Sequence, residues 1–230
     1  MATGRGAHLC GISDMLKRCL DICGACVAIV LFSPVLILVP IAILLTSPGG
    51  VFFVQKRLGL HGAEFRMLKF RSMVANAEKI GTGLFSYEDD PRITRVGRFL
   101  RASSLDELPQ ILNVLGGSMS LVGPRPPVTY ELGPWEDYTP EMRRRFDVKP
   151  GITGLAQVSG RNELDWDTKV GFDNQYVDLY ERQGVWIDLM ILLRTVKVVL
   201  TGRDTIEVPS EGDEGPIAMR ARQAMEERET

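Results

Sequence analysis

Residues 22–45 read ICGACVAIVLFSPVLILVPIAILL, an apolar run that contains no charged residue. A continuous helix of this length, at about 1.5 Å per residue, is long enough to cross a hydrocarbon core of about 30 Å. The run contains Pro34 and Pro40, however, and a proline inside a helix removes a hydrogen bond and bends the helix. The hydroxyl of Ser33 is available to bond a carbonyl group that such a bend frees. The run therefore predicts a membrane-embedded helix that turns at Ser33 and Pro34.

Basic residues flank this run on both sides, with Lys17 and Arg18 before it and Lys56 and Arg57 after it. The positive-inside rule places each of these flanks in the cytoplasm. A segment that enters the membrane, turns and leaves on the same side satisfies both flanks, so the pattern favours a re-entrant hairpin over residues 13–48. The alternatives are a straight crossing, a buried core helix and a signal peptide. No small-residue cleavage site follows the run, which disfavours the signal peptide.

The composition is that of a folded chain, with 45% hydrophobic and 24% charged residues. A length of 230 residues accommodates one compact domain and a membrane element. The net charge of −2 provides no general basic field, so no nucleic-acid partner is expected. The four cysteines lie within the first 26 residues and there are only two histidines, which disfavours a disulfide framework and histidine-dependent nucleophilic catalysis. Carboxylates, arginines, lysines and a hard cation remain as the means of catalysis.

The rest of the chain divides into one α/β or α+β domain over residues 49–204 and two tails, over residues 1–12 and 205–230. The expected elements are strands over 51–55 and 65–70, helices over 97–101, 105–115, 140–147, 164–182 and 186–200, and loop and strand over 149–160. The last helix is strongly apolar and is predicted either to lie in the membrane interface or to be an ordinary core helix. The composition after Pro209 is charged and small, which is typical of a mobile tail.

Residues 90–127 carry the densest set of chemically informative side chains. Arg92, Arg95, Arg98 and Arg101 recur every three residues, which on a helix gives a slowly drifting basic stripe suited to phosphate groups. A solvated helix face accounts for the same pattern, and the pattern alone favours that simpler interpretation.

The run from Ser104 to Glu107 has the spacing of a capping box, in which Ser104 caps a helix and Glu107 reaches back to it. This interpretation gives Asp106 no specific partner. A carboxylate in the first turn of a helix stays ionised in the positive end of the dipole, and an ionised aspartate beside a bound phosphate is a competent nucleophile. Glu107 would then hold Mg²⁺ through oxygen ligands. The spacing alone leaves both interpretations open and favours the cap.

Two turn-rich stretches follow, Gly116-Gly117 and Gly123-Pro124-Arg125-Pro126. Their backbone amides are able to approach an anion, and Arg125 offers bidentate contacts to phosphate from a position that the prolines restrict. Neither a Walker A sequence nor a Gly-x-Gly-x-x-Gly fingerprint occurs in the chain, so ordinary nucleotide-triphosphatase and dinucleotide folds are not indicated.

Taken together, these stretches resemble the monotopic phosphoglycosyl transferases, a bacterial sugar transferase family that initiates the synthesis of capsules, exopolysaccharides, O-antigens and glycoprotein glycans. The resemblance covers about residues 13–204. It rests on the apolar run with Ser33-Pro34, KFRSM at 69–73, DPRITRVGRFLR at 90–101, SLDELPQ at 104–110, SLVGPRP at 120–126 and KPGITGLAQVSGR at 149–161. The chain is similar to the minimal form of the family, which lacks the extra membrane helices and the further domain of larger members.

The resemblance implies that the chain transfers a sugar-1-phosphate from a UDP-sugar to polyprenyl (undecaprenyl) phosphate and releases UMP. It implies a covalent phospho-sugar intermediate on Asp106, with Glu107 as the second catalytic acid and Mg²⁺ as the metal of this pair. The substrate- and phosphate-binding positions that it implies are Lys69, Arg71, Arg98, Arg101, Arg125, Arg161 and Asp188. For Asp188, a helix N-cap is an equally good interpretation.

The resemblance also implies a monotopic protein on the cytoplasmic face of the bacterial inner membrane. Its re-entrant helix turns at Ser33-Pro34, its amphipathic helices lie against membrane lipids, and a homodimer is compatible with it. Two other hypotheses remain: a non-catalytic module that binds anionic lipid through the arginine stripe, and a nucleotide-sugar hydrolase that uses water as acceptor. The sugar itself is not readable from the motifs.

Overall fold

The computed structural model describes residues 5–77, 87, 90–160 and 165–201. Within these residues, a bent pair of helices precedes a small domain of mixed helices and short strands, which confirms the predicted α+β class. Residues 5–12, predicted as part of a tail, form the first turns of the first helix. Arg161 and the predicted tail over 205–230 lie outside the described residues.

The bent pair consists of α1 (Arg5–Leu31) and α2 (Ser33–Thr46). The chain bends by 62° between them, at the position that the sequence predicts. Pro34 stands in the first turn of α2, where its missing N–H group breaks no helical hydrogen bond. The Ser33 hydroxyl donates a hydrogen bond to the carbonyl of Val30 at 2.9 Å. The bend is therefore a local consequence of the Ser-Pro pair.

Among the described residues, no single helix has the length and apolarity needed to cross a bilayer, whereas α1 from Ser13 and α2 together do. The pair leaves many large apolar side chains exposed, among them Val27, Val30, Leu31, Ile37, Leu38, Leu44 and Leu45. A contiguous apolar surface of this kind marks a contact with lipid or with another protein.

The strands form two small sheets. β1 (Phe52–Leu58) and β2 (Glu64–Phe70) make an antiparallel hairpin, and β3 (Ser120–Val122) pairs in parallel with β4 (Gly151–Thr153). Both hairpin strands are confirmed, and the first extends beyond its predicted end. A Cβ on Gly151 would lie 2.1 Å from the backbone nitrogen of Gly123, so only glycine permits this close approach. The Gly-Pro-Arg-Pro loop leaves β3 at this point.

The remaining helices are α3 (Arg95–Ala102), α4 (Gln110–Gly116), α5 (Pro140–Arg144), α6 (Leu155–Ser159), α7 (Trp166–Gln183) and α8 (Val185–Thr201). Five of the six overlap predicted helices. The short helix α6 lies in a stretch predicted as loop and strand, and its five residues are too few to show a helical period in the sequence.

The predicted helix over 105–115 is wrong in its first half. Residues Leu105–Glu107 form a separate 3-10 turn, and α4 begins only at Gln110. Pro109 has no N–H group to donate to the carbonyl of Leu105, so regular helical bonding is not available here. The chain instead makes bonds three residues apart, including Leu108 N to Leu105 O at 3.3 Å. Asp106 and Glu107 consequently lie on an isolated turn.

Two core clusters join the bent helices to the strands and helices around this turn. One cluster contains Ala25, Met67, Ile111, Val114 and Met119, which belong to α1, β2, α4 and the chain before β3. The other contains Val39, Ile43, Phe70 and Leu100, from α2, β2 and α3. The helical pair is therefore packed onto the elements that carry the predicted catalytic residues.

The basic pair before the apolar run makes contacts within the protein. Lys17 is buried, and Arg18 donates to the carbonyls of Val114 and Leu115 at 2.6 and 2.7 Å, at the end of α4. Charged donors at a helix C-terminus stabilise carbonyls that lack a helical partner. These contacts give the pair a role in the fold, so it is weaker evidence for membrane topology than the sequence indicates.

Candidate active site

Asp106 and Glu107 occupy the 3-10 turn between α3 and α4, and the capping box predicted there is wrong. Ser104 has a φ of 56°, in the left-handed region, and its side chain makes no capping bond. A residue other than glycine is uncommon in this conformation. The Glu107 carboxylate does not reach back to Ser104, because two cations hold it elsewhere. The capping explanation for these two acids is therefore removed.

The cations that hold Glu107 come from two distant parts of the chain. Lys69, near the end of β2, donates to Glu107 Oε1 at 2.8 Å. Arg125, in the loop after β3, donates to the same oxygen at 2.8 Å and to Oε2 at 3.4 Å. Burial by itself raises the pKa of Glu107, but the charges of Arg125 and Lys69 hold it well below its usual range. Glu107 is therefore a fixed negative charge.

Asp106 lies beside the ion pairs of Glu107, but its own carboxylate is in a different environment and has a raised pKa. Its side chain is buried, and no residue in the described part of the chain donates a hydrogen bond to it. The pKa of Asp106 is raised to about 6, mainly by burial and also by the charge of Glu107, against the opposing charge of Lys69. The sequence predicted that a helix dipole keeps this carboxylate ionised. A single 3-10 turn provides little dipole, so desolvation dominates instead.

The other predicted phosphate-binding residues are only partly brought together with these acids. Arg101 lies near enough for its charge to lower the pKa of Asp106, after the larger effect of burial. Arg98 is exposed on α3 and Arg161 is not among the described residues. Arg71 is buried and donates to the carbonyls of Pro48 and Ser47 at 2.7 and 2.9 Å, which ties β2 to the end of α2.

The predicted arginine stripe does not include Arg92. This residue precedes α3 and is buried, with its guanidinium 2.6 Å from the carboxylate of Asp90. Its place in the three-residue repeat is therefore coincidental, since a buried pair is not available to a lipid or nucleotide phosphate. The stripe on α3 consists of Arg95, Arg98 and Arg101.

Asp188 lies in another buried cluster, and the N-cap interpretation is wrong for it. Its carboxylate accepts from Lys17 Nζ at 2.6 Å and from the Tyr176 hydroxyl at 2.7 Å. Lys17 also donates to the carbonyl of Val122 at 3.0 Å. Burial raises the pKa of Asp188, and Lys17 opposes that effect. This cluster connects α1, α7 and α8 to the end of β3, which leads to Arg125.

Residues 12–202 match the family described as bacterial sugar transferase. The chain belongs to the bacterial sugar transferase family. It is 47% identical over 81% of its length to the galactosyl transferase CpsE of Streptococcus agalactiae, of which the match covers 42%. It is 39% identical to the exopolysaccharide production protein ExoY of Rhizobium meliloti, over 84% of this chain and 88% of that protein.

A third relative is the UDP-glucose:undecaprenyl-phosphate glucose-1-phosphate transferase of Caulobacter vibrioides. The identity is 44%, over 82% of this chain and 71% of that protein. The chain thus spans most of two of these relatives and about two fifths of the first.

The two adjacent acids of this family member fit a magnesium ion better than a zinc ion. Among the described residues, no group of three or more histidine, cysteine or acidic side chains is placed to hold a metal. Mg²⁺ is commonly held by one or two carboxylates, with substrate phosphates and water completing its shell. Asp106 and Glu107 provide two carboxylates, and both donate through oxygen, which zinc sites rarely use alone.

No motif in the sequence indicates Arg145, which the structure places in contact with Arg125. Arg145 is buried at the end of α5 and donates to the carbonyl of Arg125 at 2.6 Å. It is the last of three consecutive arginines, and three identical residues in a row do not show which one points inward. The only available signal was the proximity of this basic run to the KPGITG motif.

We expect Asp106→Asn to stabilise the folded protein at pH 8 and to leave its stability unchanged at pH 4. The raised pKa means that folded Asp106 binds its proton more tightly than unfolded Asp106, so its stability contribution is lost as the pH rises through about 6. The neutral amide avoids that loss, which we estimate at about 1–3 kcal/mol. Thermal unfolding in detergent without divalent cations measures the difference. A variant that is less stable than wild type at pH 8 would contradict the assignment.

Proposed function

We propose that the chain transfers a sugar-1-phosphate from a UDP-sugar to undecaprenyl phosphate with release of UMP. The observation that carries this proposal is the environment of Asp106: a buried carboxylate that accepts no hydrogen bond from the described residues, next to a carboxylate that two cations fix. A carboxylate with few hydrogen bonds retains its nucleophilic electron pairs. Membership of the family and the name of the Caulobacter relative support the same reaction.

In the first step, the Asp106 carboxylate attacks the β-phosphorus of the UDP-sugar. A bond forms between a carboxylate oxygen and this phosphorus, the bond from the phosphorus to the oxygen bridging the two phosphates breaks, and UMP leaves with that electron pair. In the second step, an oxygen of undecaprenyl phosphate attacks the same phosphorus. The Asp106 carboxylate is then released, and the sugar is attached to the lipid through a diphosphate.

Lys69 and Arg125 are suited to this reaction by their charge and position. Phosphoryl transfer is catalysed mainly by positioning and by stabilisation of charge on the phosphate oxygens. Glu107 holds both cations beside Asp106, so their positions are set before substrate binds. Mg²⁺, held by Asp106 and Glu107, would supply further positive charge to the diphosphate.

The sugar is not assigned by the relatives. CpsE of Streptococcus agalactiae is named as a galactosyl transferase, whereas the Caulobacter relative is named for glucose, at 47% and 44% identity. Similar identities therefore accompany different sugars. A screen of UDP-sugars for UMP release with undecaprenyl phosphate is the direct way to identify the donor.

We also propose that the protein is monotopic, on the cytoplasmic face of the bacterial inner membrane, with α1 and α2 as a re-entrant hairpin. The exposed apolar surface of this pair and its bend support the proposal. α8 adds an exposed apolar stripe formed by Trp186, Met190, Leu193, Val196 and Val199. Phe99 on α3 is 64% exposed, and Arg95 and Arg98 on the same helix are also exposed. An exposed aromatic ring beside exposed arginines is typical of a helix that lies against lipid headgroups.

We expect Asp106→Asn to abolish UMP release, because an amide is too poor a nucleophile to attack the phosphate. In the absence of lipid acceptor, wild-type protein should retain label from a UDP-sugar labelled in the sugar, and the variant should retain none. Asp178→Asn, which removes an exposed carboxylate on α7, is the control and should leave both measurements unchanged. Near-normal UMP release by folded Asp106→Asn protein would sink the mechanism. Repeated UMP release without any lipid acceptor would instead favour a hydrolase.

Removal of Mg²⁺ should eliminate turnover. An excess of chelator is expected to stop UMP release, and Mg²⁺ should restore it while Zn²⁺ does not, because the ligands are carboxylate and phosphate oxygens. Asp178→Asn protein provides the control, since its metal dependence should equal that of wild type. Full activity in excess chelator would rule out the metal.

The hairpin predicts that both ends of the helical pair face the cytoplasm. In a variant without Cys10, Cys19, Cys23 and Cys26, single cysteines at Gly4 and Glu136 should both resist an impermeant thiol reagent until cells are opened. Pro34→Leu with Ser33→Ala should straighten the bend and expose the Gly4 probe. The double change removes the proline at the bend and the Ser33 hydroxyl that donates to the Val30 carbonyl. Pro40→Leu is the matched control, as Pro40 lies within α2 away from the bend. Labelling of only the Gly4 probe in otherwise wild-type protein would show a spanning helix.

A further inference from the structure

Three consecutive arginines stand at the end of α5, with Arg143 and Arg144 in its last turn and Arg145 directly after it, and each has a different environment. Arg143 donates to the carbonyls of Trp135 and Glu136 and is exposed. Arg144 pairs with Asp178 on α7, and both side chains are more than two fifths exposed. Arg145 is 2% exposed and pairs with Asp173 on α7, whose carboxylate lies 2.7 Å from Nη2. Arg144 and Arg145 thus each connect the end of α5 to α7 by an ion pair. The pair of Arg144 is partly exposed to solvent, and the pair of Arg145 is buried.

The buried pair is an expensive way to join two helices. Taking two charges out of water costs several kcal/mol per ion, and their attraction often fails to recover it. Burial raises the pKa of Asp173 to about 6 even though the charge of Arg145 opposes that shift. The nearby rings of Phe146 and Trp166, 5.5 and 5.6 Å from the guanidinium carbon, add weak cation–π attraction. The exposed pair formed by Arg144 already connects the helices at lower cost.

The buried pair differs from the exposed pair in what else it touches. The Arg145 Nη2 that faces Asp173 also donates to the backbone carbonyl of Arg125 at 2.6 Å. Arg125 stands between Pro124 and Pro126, so its backbone has little freedom of its own. Fixing its carbonyl therefore fixes the direction in which its side chain leaves the loop. That side chain is the one that holds both oxygens of Glu107.

The next carbonyl in the loop is held in a similar way. Arg57, on β1, donates from Nη1 to the carbonyl of Pro126 at 2.8 Å. Its side chain is 13% exposed. Two consecutive carbonyls of the loop are therefore hydrogen-bonded to arginines from different parts of the chain, one on β1 and one directly after α5.

We propose that Arg145, held in place by Asp173, is a positioning residue that sets Arg125 against Glu107 and so prepares Arg125 to meet the diphosphate of the nucleotide. The inference rests on the proposed function, in which Arg125 contacts that diphosphate. Arg145 itself need not touch the substrate. It acts through one backbone carbonyl, which distinguishes it from Lys69 and Arg125.

The test is a double-mutant cycle between Arg145 and Arg125. Arg145→Met keeps the apolar stem and removes the ion pair with Asp173 and the hydrogen bond to the Arg125 carbonyl. Arg125→Ala removes the side chain that Arg145 positions. The measurements are the Kd for UDP, by calorimetry with Mg²⁺ present, and kcat/KM for UMP release. Two residues that act through one another give non-additive effects, whereas independent sites add.

We expect Arg145→Met to weaken UDP binding and to lower kcat/KM by about tenfold, the usual scale for such coupling. In the Arg125→Ala background, the same change should cost less than about twofold, because no positioned side chain remains. Arg145→Lys should recover part of the loss, since both acceptors face the single nitrogen Nη2 and an ammonium group can donate to either of them from a shorter side chain. Arg144→Met is the matched control: it breaks the exposed pair between the same helices and should leave both measurements unchanged.

Additive losses in the cycle would overturn the inference, as would equal losses in Arg144→Met protein, since either result makes Arg145 a general stabiliser of the domain. Thermal unfolding of each variant identifies that outcome, because a purely structural role lowers Tm and UDP affinity in proportion in both backgrounds. Wild-type protein that binds UDP without releasing UMP would overturn the proposed function, and the affinity cycle would still decide the inference. Wild-type protein that does not bind UDP would overturn both.

Discussion

The site depends on the ion pairs that the Glu107 carboxylate makes with Lys69 and Arg125. Lys69 belongs to the hairpin of β1 and β2, Glu107 to the turn before α4, and Arg125 to the loop after β3. The main chains of the hairpin and the loop meet where Leu58 N donates to Pro127 O at 3.1 Å. The Glu107 carboxylate joins the turn to both of these segments through its two side-chain contacts. The two cations stabilise the charge of Glu107, and Asp106 is left as the neighbouring acid with a raised pKa. Burial acts to raise the pKa of both acids. The pKa of Glu107 is lowered instead because Lys69 and Arg125 are hydrogen-bonded to it.

The helical pair and the site are built on common elements. β2 carries Lys69 on the site side and buries Met67 and Phe70 against α1 and α2. Arg71, one residue beyond β2, bonds the carbonyls that follow α2. Lys17 of α1 bonds the carbonyl of Val122, which leads to Arg125. These contacts attach the helical pair to the elements that carry Lys69, Arg125 and the Asp106-Glu107 turn. The position of Asp106 relative to the exposed apolar surface of the pair is therefore set by the fold.

For several basic residues, the sequence predicted a shared role near phosphate but did not distinguish one residue from another. The ordered motifs identified the family and the pair Asp106-Glu107, and they indicated Lys69 and Arg125 near phosphate. They did not separate these cations from Arg71, which is equally basic and only two residues from Lys69, but which the structure commits to the end of α2. Residues two apart on a strand point to the same face, so the sequence pattern does not distinguish them. Their side chains nevertheless reach different neighbours, Glu107 for Lys69 and the carbonyls after α2 for Arg71. Arg92 and Arg145 were misjudged or missed for a related reason, because burial of an arginine depends on a partner from elsewhere, here Asp90 and Asp173.

The sequence by itself determined what short-range sterics and patterning control. The bend at Ser33-Pro34 follows from a missing N–H group and a ring, and β1 and β2 follow from residue preference and alternation. The break before α4 also follows from one residue, Pro109, which has no N–H group to donate to the carbonyl of Leu105. Only the tertiary structure decided which acid is fixed as a carboxylate and which has a raised pKa, which arginine turns inward, and what Asp188 contacts. These outcomes depend on desolvation and on charges contributed by residues up to 171 positions away, and an amino-acid sequence does not display such distances.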